Sequence, residues 1–145
     1  AAAVGGSHLQ EGGADAGQPE GAPASREDAI VEHQQRLRAL VASFGLFLDA
    51  MASDGNCLFR AVSRQLYGDV SFHELVRHRV VERLNQDRES YISFFEGEAD
   101  FERYLAEMVV VGTWGDELTL RAIADVYGAE VHVLTSAGTG CYLLY

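Results

Sequence analysis

Lysine is absent from this chain. All eleven basic residues among its 145 are arginine, against 22 acidic ones, for a net charge of -11. A protein that tracks phosphates needs a basic surface, so nucleic acid is not an expected partner. Docking on anionic lipid needs basic clusters too, which excludes that class of membrane contact. No apolar run approaches the length of a membrane span. The N-terminus lacks the basic-then-apolar layout of a signal peptide. Cysteine is scarce, with only Cys57 and Cys141. A secreted disulfide scaffold of this size carries more. Two distant cysteines in an acidic chain fit a reducing compartment, so the expected location is the cytoplasm, with the nucleus as a second site. No Cys/His spacing here suits zinc, and neither a metal nor any other cofactor is expected.

What is present suffices for one domain. Hydrophobic residues make up 48% of the chain, enough for a core at this length. Residues 1–24 are rich in Ala, Gly, Glu and Pro. They cannot bury enough apolar area to offset chain entropy, so a disordered tail is expected there. Residues 25–145 form the expected domain. The chain starts without Met and ends inside the apolar run Tyr142-Leu143-Leu144-Tyr145, which predicts a domain cut from a longer protein and incomplete at its C-terminus.

Local signals divide that domain. Ser25 is placed to cap a first helix through Ile30, Leu37, Val41 and Phe44, stopped by Gly45. Leu46–Met51 reads as a short buried strand, and 52–56 as a tight polar turn. Cys57–Tyr67 has a helical pattern with Leu58, Val62 and Leu66 on one face, ended by Gly68. Ser71 and Glu74 read as a capping box for a helix carrying Leu75, Val76, Val80 and Leu84. A short helical stretch follows over 90–95. Asp100 is a candidate cap for a helix with Phe101, Tyr104, Leu105 and Met108. Residues 109–115 read as a loop, Asp116–Tyr127 as a helix closed by Gly128, 130–135 as a strand, 136–140 as a turn and 141–145 as a return strand. Helices first and strands last predict an α+β fold, a helical lobe on a small sheet.

The stretch that carries chemistry is Asp54-Gly55-Asn56-Cys57-Leu58-Phe59-Arg60-Ala61. A cysteine nucleophile works as a thiolate. Free N–H groups at a helix start favour negative charge, and they also stabilise the oxyanion of acyl transfer. Cys57 is expected at such a start, after a turn that Gly55 permits. A lone cysteine among apolar residues is otherwise a structural one.

The string DGNCLFRA resembles the nucleophile motif of the ovarian-tumour (OTU) family of cysteine deubiquitinases, which have a papain-like fold. Gly112-Thr113-Trp114-Gly115-Asp116-Glu117-Leu118, with Ala122-Ile123-Ala124 and Tyr127-Gly128, is similar to that family's second block. Val131, Val133, Leu134 and Thr135 resemble its central strand. The likeness spans about residues 45–145 and is strongest to plant-type members. It implies hydrolysis of isopeptide bonds between the C-terminal glycine of ubiquitin and lysine, with ubiquitin and ubiquitinated proteins as partners. A monomer is the expected working form, though nothing in the sequence reads it. It implies Cys57 as nucleophile and an oxyanion donor in the N–H of Asp54, whose carboxylate orients the catalytic histidine in some members. Gly55 and Asn56 shape the turn beside the oxyanion. Gly112 and Trp114 are implied to line the channel for the ubiquitin tail, with core packing as the competing reading for Trp114.

The chain departs from the family in lacking its late His-Tyr-Asn-like motif. The histidines are His8, His33, His73, His78 and His132. Only His132 falls on an expected strand, and the family's base lies one strand further on. The expectation is therefore a base beyond residue 145 and an inactive fragment. Two other readings stand: a ubiquitin-binding OTU module without turnover, and another papain-like thiol hydrolase.

Overall fold

The computed structural model describes residues 25–136 and 142–145, with the side chain of Tyr142 left aside. The expected tail, with His8, residues 137–140 of the turn expected over 136–140, and Cys141 lie outside the described residues.

Among the described residues, six α-helices and two strands follow in order: α1 (Arg26–Ser43), α2 (Cys57–Tyr67), α3 (His73–Gln86), α4 (Arg88–Tyr91), α5 (Glu98–Met108), α6 (Glu117–Tyr127), β1 (His132–Leu134) and β2 (Tyr142–Leu144). This is the α+β order expected. Ser25 caps α1 by accepting from the Asp28 N–H at 3.1 Å. Asp116 caps α6 in a reciprocal box with Thr119. Gly68 and Gly128 close α2 and α6 at φ +73 and +57, the left-handed region that glycine enters without a Cβ clash.

The core gathers on α3. Val76, Val80 and Leu84 are fully buried, one face of a 3.6-residue helix. Phe59 of α2, Phe101, Leu105 and Met108 of α5, and Ala122 and Ile123 of α6 close around them. Burying each large side chain contributes about 1.5–3 kcal/mol. β1 and β2 pair antiparallel, His132 opposite Leu144 and Val133 opposite Leu143. Backbone bonds between Val131 and Tyr145, at 2.9 and 3.0 Å, extend the ladder by a pair.

Four sequence expectations are corrected. Residues 46–51 form no strand: Leu46, Phe47 and Leu48 are 58, 86 and 51% exposed. A strand needs a partner ladder, and the two strands among the described residues pair with each other. Ser71 and Glu74 form no capping box. Asp69 instead accepts from the Ser71 N–H at 2.8 Å and caps a 3-10 turn, Val70–Phe72, that runs into an α3 without a side-chain cap. Asp100 lies inside the first turn of α5, whose cap position is Gly97. Leu66 and Leu75 are exposed. Phe59 takes the central place on α2, and Arg77 is buried on α3.

Candidate active site

The site starts from a turn that only glycine fits. Gly55 has φ +80, and a Cβ there would sit 1.6 Å from the carbonyl oxygen of Gly112. The turn therefore lies directly against the 109–115 loop. Asp54 folds it locally, its Oδ1 accepting from the Asn56 N–H at 3.1 Å. The same oxygen pairs with Arg60 Nη1 at 2.5 Å, one turn into α2. The hydrogen bond from Arg60 holds the Asp54 carboxyl below the usual range, at about 2.

Asn56 occupies the cap position of α2 yet caps nothing with its side chain. It is 5% exposed and turned away, its Oδ1 accepting from the Gly112 N–H and from Arg77 Nη2, both at 2.9 Å. The first turn of α2 is thus without the side-chain cap that α1 and α6 possess. Cys57, a free and half-buried thiol, is the first residue of that turn. Unsatisfied N–H groups at such a start offer donors to an anion.

Opposite the turn, Gly112 has φ +98 and Trp114 is 58% exposed, which removes the core-packing alternative for it. Gly115 packs against α2 so closely that a Cβ would meet Leu58 at 2.3 Å. The structure brings together Asp54, Gly55, Asn56, Cys57 and Gly112. The histidines sit elsewhere in the chain order. His33 lies on α1 beside Arg36, His73 and His78 on α3, and exposed His132 on β1, 3.5 Å from Glu130. Among the described residues, no group of three or more His, Cys, Asp or Glu is placed to hold a metal. No helix among the described residues is long and apolar enough to cross a membrane.

Two residues were missed in sequence. Arg60 pairs with the turn, and Arg77 binds it from beneath. A signal for Arg77 existed: it lies at helical spacing with Val80 and Leu84, a charge on an apolar stripe.

Helical lobe, small sheet and a cysteine at a helix start opposite a glycine-rich loop define a papain-like cysteine protease fold. The family model "OTU-like cysteine protease" matches residues 52–143, and the chain belongs to that family. It is 39% identical over 116 residues to the OVARIAN TUMOR DOMAIN-containing deubiquitinating enzyme 12 of Arabidopsis thaliana, covering 80% of this chain and 52% of that one. To enzyme 10 of the same plant it is 38% identical, covering 81% and 32%. The chain thus spans about half the length, or less, of these curated relatives. Its fold resembles the OTU domain of OTUD1, with a TM-score of 0.73 at 18% identity over 83% of this chain and 82% of that one.

Proposed function

We propose that this chain carries the nucleophile side of a cysteine-type deubiquitinase acting on isopeptide bonds between ubiquitin and lysine. The observation that carries the reading is the half-buried Cys57 opening an α2 whose first turn has no side-chain cap. In the proposed reaction, the Cys57 thiolate attacks the carbonyl carbon of ubiquitin's terminal glycine. A C–S bond forms, and the negative charge passes to oxygen. The N–H groups of Asp54 and Cys57 hold that oxyanion. Its collapse breaks the C–N bond, and the lysine amine leaves with a proton from a histidine. Water, giving its proton to the same histidine, then cleaves the thioester and frees ubiquitin. For that base, the family resemblance supports a histidine that follows residue 145.

Gly112 and Trp114 take the wall of the tail channel in this reading, since a narrow slot beside Cys57 admits a glycine tail and little else. The net charge of -11 favours encounter with a basic partner face. Added salt is then expected to slow association, and salt-independent association rates would remove the steering claim. A monomer in the cytoplasm or nucleus completes the proposal.

The test is turnover of a lysine-linked ubiquitin conjugate. It compares this chain, the chain extended by any sequence that follows Tyr145 in its gene, and Cys57→Ala in each. Cleavage by the extended form, abolished in Cys57→Ala, supports the proposal. Ubiquitin binding without cleavage in either form would replace it with a recognition module. Neither binding nor cleavage would favour a thiol hydrolase of another substrate.

A further inference from the structure

Arg77 is a buried cation in a place where a hydrocarbon would fill the same space. Its side chain is 2% exposed, between Val76 and Val80 on the core face of α3. None of its hydrogen bonds goes to a carboxylate: Nη1 donates to Met108 O at 3.0 Å, and Nη2 donates to Gly55 O at 3.1 Å, Asn56 Oδ1 at 2.9 Å and Thr113 O at 2.7 Å. The guanidinium carbon lies 3.9 Å from the centre of the Phe59 ring, two residues into α2 from Cys57. Burial favours its neutral form, and its Nε is buried without a hydrogen-bond partner. A desolvated charge of this kind is a poor source of stability, and well-packed apolar replacements for such groups are often neutral or better.

The acceptors explain its place. They lie in the nucleophile turn, at Gly55 and Asn56, and on the opposite wall, at Met108, the last residue of α5, and at Thr113 within the 109–115 loop. One planar fork therefore fixes the distance between the two walls of the site. We propose that Arg77 is a positioning residue for acyl transfer: it holds the turn that presents the N–H groups of Asp54 and Cys57, and so sets the oxyanion geometry without touching the substrate. This rests on the deubiquitinase reading and adds to it a residue from the core helix. Preorganised donors lose effect steeply when displaced, because the oxyanion gains little from groups that must first reorganise.

The test uses the protein in the full length its gene encodes, with Arg77→Lys as the main variant. Lysine keeps the charge but cannot reach both walls with a planar fork. The prediction is a fall in kcat of about 10- to 100-fold with KM within about threefold, the scale on which oxyanion donors act. Alkylation of Cys57 by iodoacetamide, which forms no oxyanion, should stay within about threefold of wild type, read at the Cys57 peptide by mass. Asn56→Ser is the milder second variant. It removes one acceptor, leaves the three carbonyls, and should show the same kcat-selective loss if Arg77→Lys does not fold.

Wild-type turnover with an unchanged kcat in the folded variant would overturn the inference alone. So would equal losses in kcat and alkylation, which signal general loosening. No Cys57-dependent turnover in wild type would overturn the deubiquitinase reading and the inference with it.

Discussion

Leu46-Phe47-Leu48 and Val109-Val110-Val111 are both apolar triplets on connecting segments, and all six residues are at least 51% exposed. Their backbones are held very differently. The second segment is held at Met108 O and Thr113 O by Arg77, at the Gly112 N–H by Asn56, and at Thr113 Oγ1 by Glu107 O at 2.8 Å. Near the first, the Leu46 N–H reaches Val41 O at 3.1 Å, and Asp49 pairs with Arg64 at 3.1 Å on the surface. Exposed apolar residues are thus fixed in one place by buried polar contacts and carried in the other by little more than a helix end. The difference teaches that loop geometry near Cys57 is set by hydrogen-bond acceptors and glycines, and not by hydrophobicity.

Replacing a glycine that adjoins each region, Gly55 against the 109–115 loop and Gly45 before Leu46, should break the comparison most visibly. Gly55→Ala drives a Cβ into Gly112 O and strains a positive φ, so a loss above about 3 kcal/mol is expected in urea unfolding. Gly45→Ala also meets a positive φ, +70, but nothing lies within 4 Å, and about 1 kcal/mol is expected. Equal losses would mean that the two segments are equally constrained.

Phenylalanines sharpen it next. Phe101, fully buried, should cost about 3–5 kcal/mol on replacement by alanine. Phe47, 86% exposed, should change stability by less than about 0.5 kcal/mol. A large loss at Phe47 would place a covering partner over residues 46–48.

The caps give a smaller contrast. Asp116 caps α6 and also accepts from the Tyr104 hydroxyl at 2.9 Å, so Asp116→Ala should cost about 1–2 kcal/mol. Ser25 serves the exposed start of α1, and Ser25→Ala should cost about 0.5 kcal/mol. Thermal melts of both variants decide this.

The smallest effect is a pH dependence. Asp54 has its pKa depressed from 3.8 to about 2 by Arg60. A depressed carboxylate contributes stability that is present above about pH 4 and lost as pH falls through about 2. Arg60→Gln should therefore flatten that part of the stability curve relative to wild type. Parallel curves would show that the pair is screened by solvent.

Much of the site was legible because its letters encode local physics. The glycine at 55 and the change to helical periodicity at Cys57 located the turn, the helix start and the thiol. The extent of α6 and the two glycine stops were legible for the same reason. Arg77 was not read as part of the site, because three of its four oxygen acceptors are backbone carbonyls 22 to 36 residues away, to which any sequence contributes alike. Residues 46–51 were misread because an apolar run states a preference for burial without supplying a partner. Ser71 and Glu74 matched a capping pattern, but Asp69 reached the Ser71 N–H and started a tighter turn first.

The most direct measurement is labelling by a ubiquitin whose C-terminus carries a thiol-reactive electrophile. It would be made on the protein in the full length its gene encodes, with the adduct mapped by peptide mass. The account predicts one adduct, on Cys57, abolished by Cys57→Ala and unaffected by Cys141→Ser. An adduct on Cys141, or labelling that survives Cys57→Ala, would contradict it.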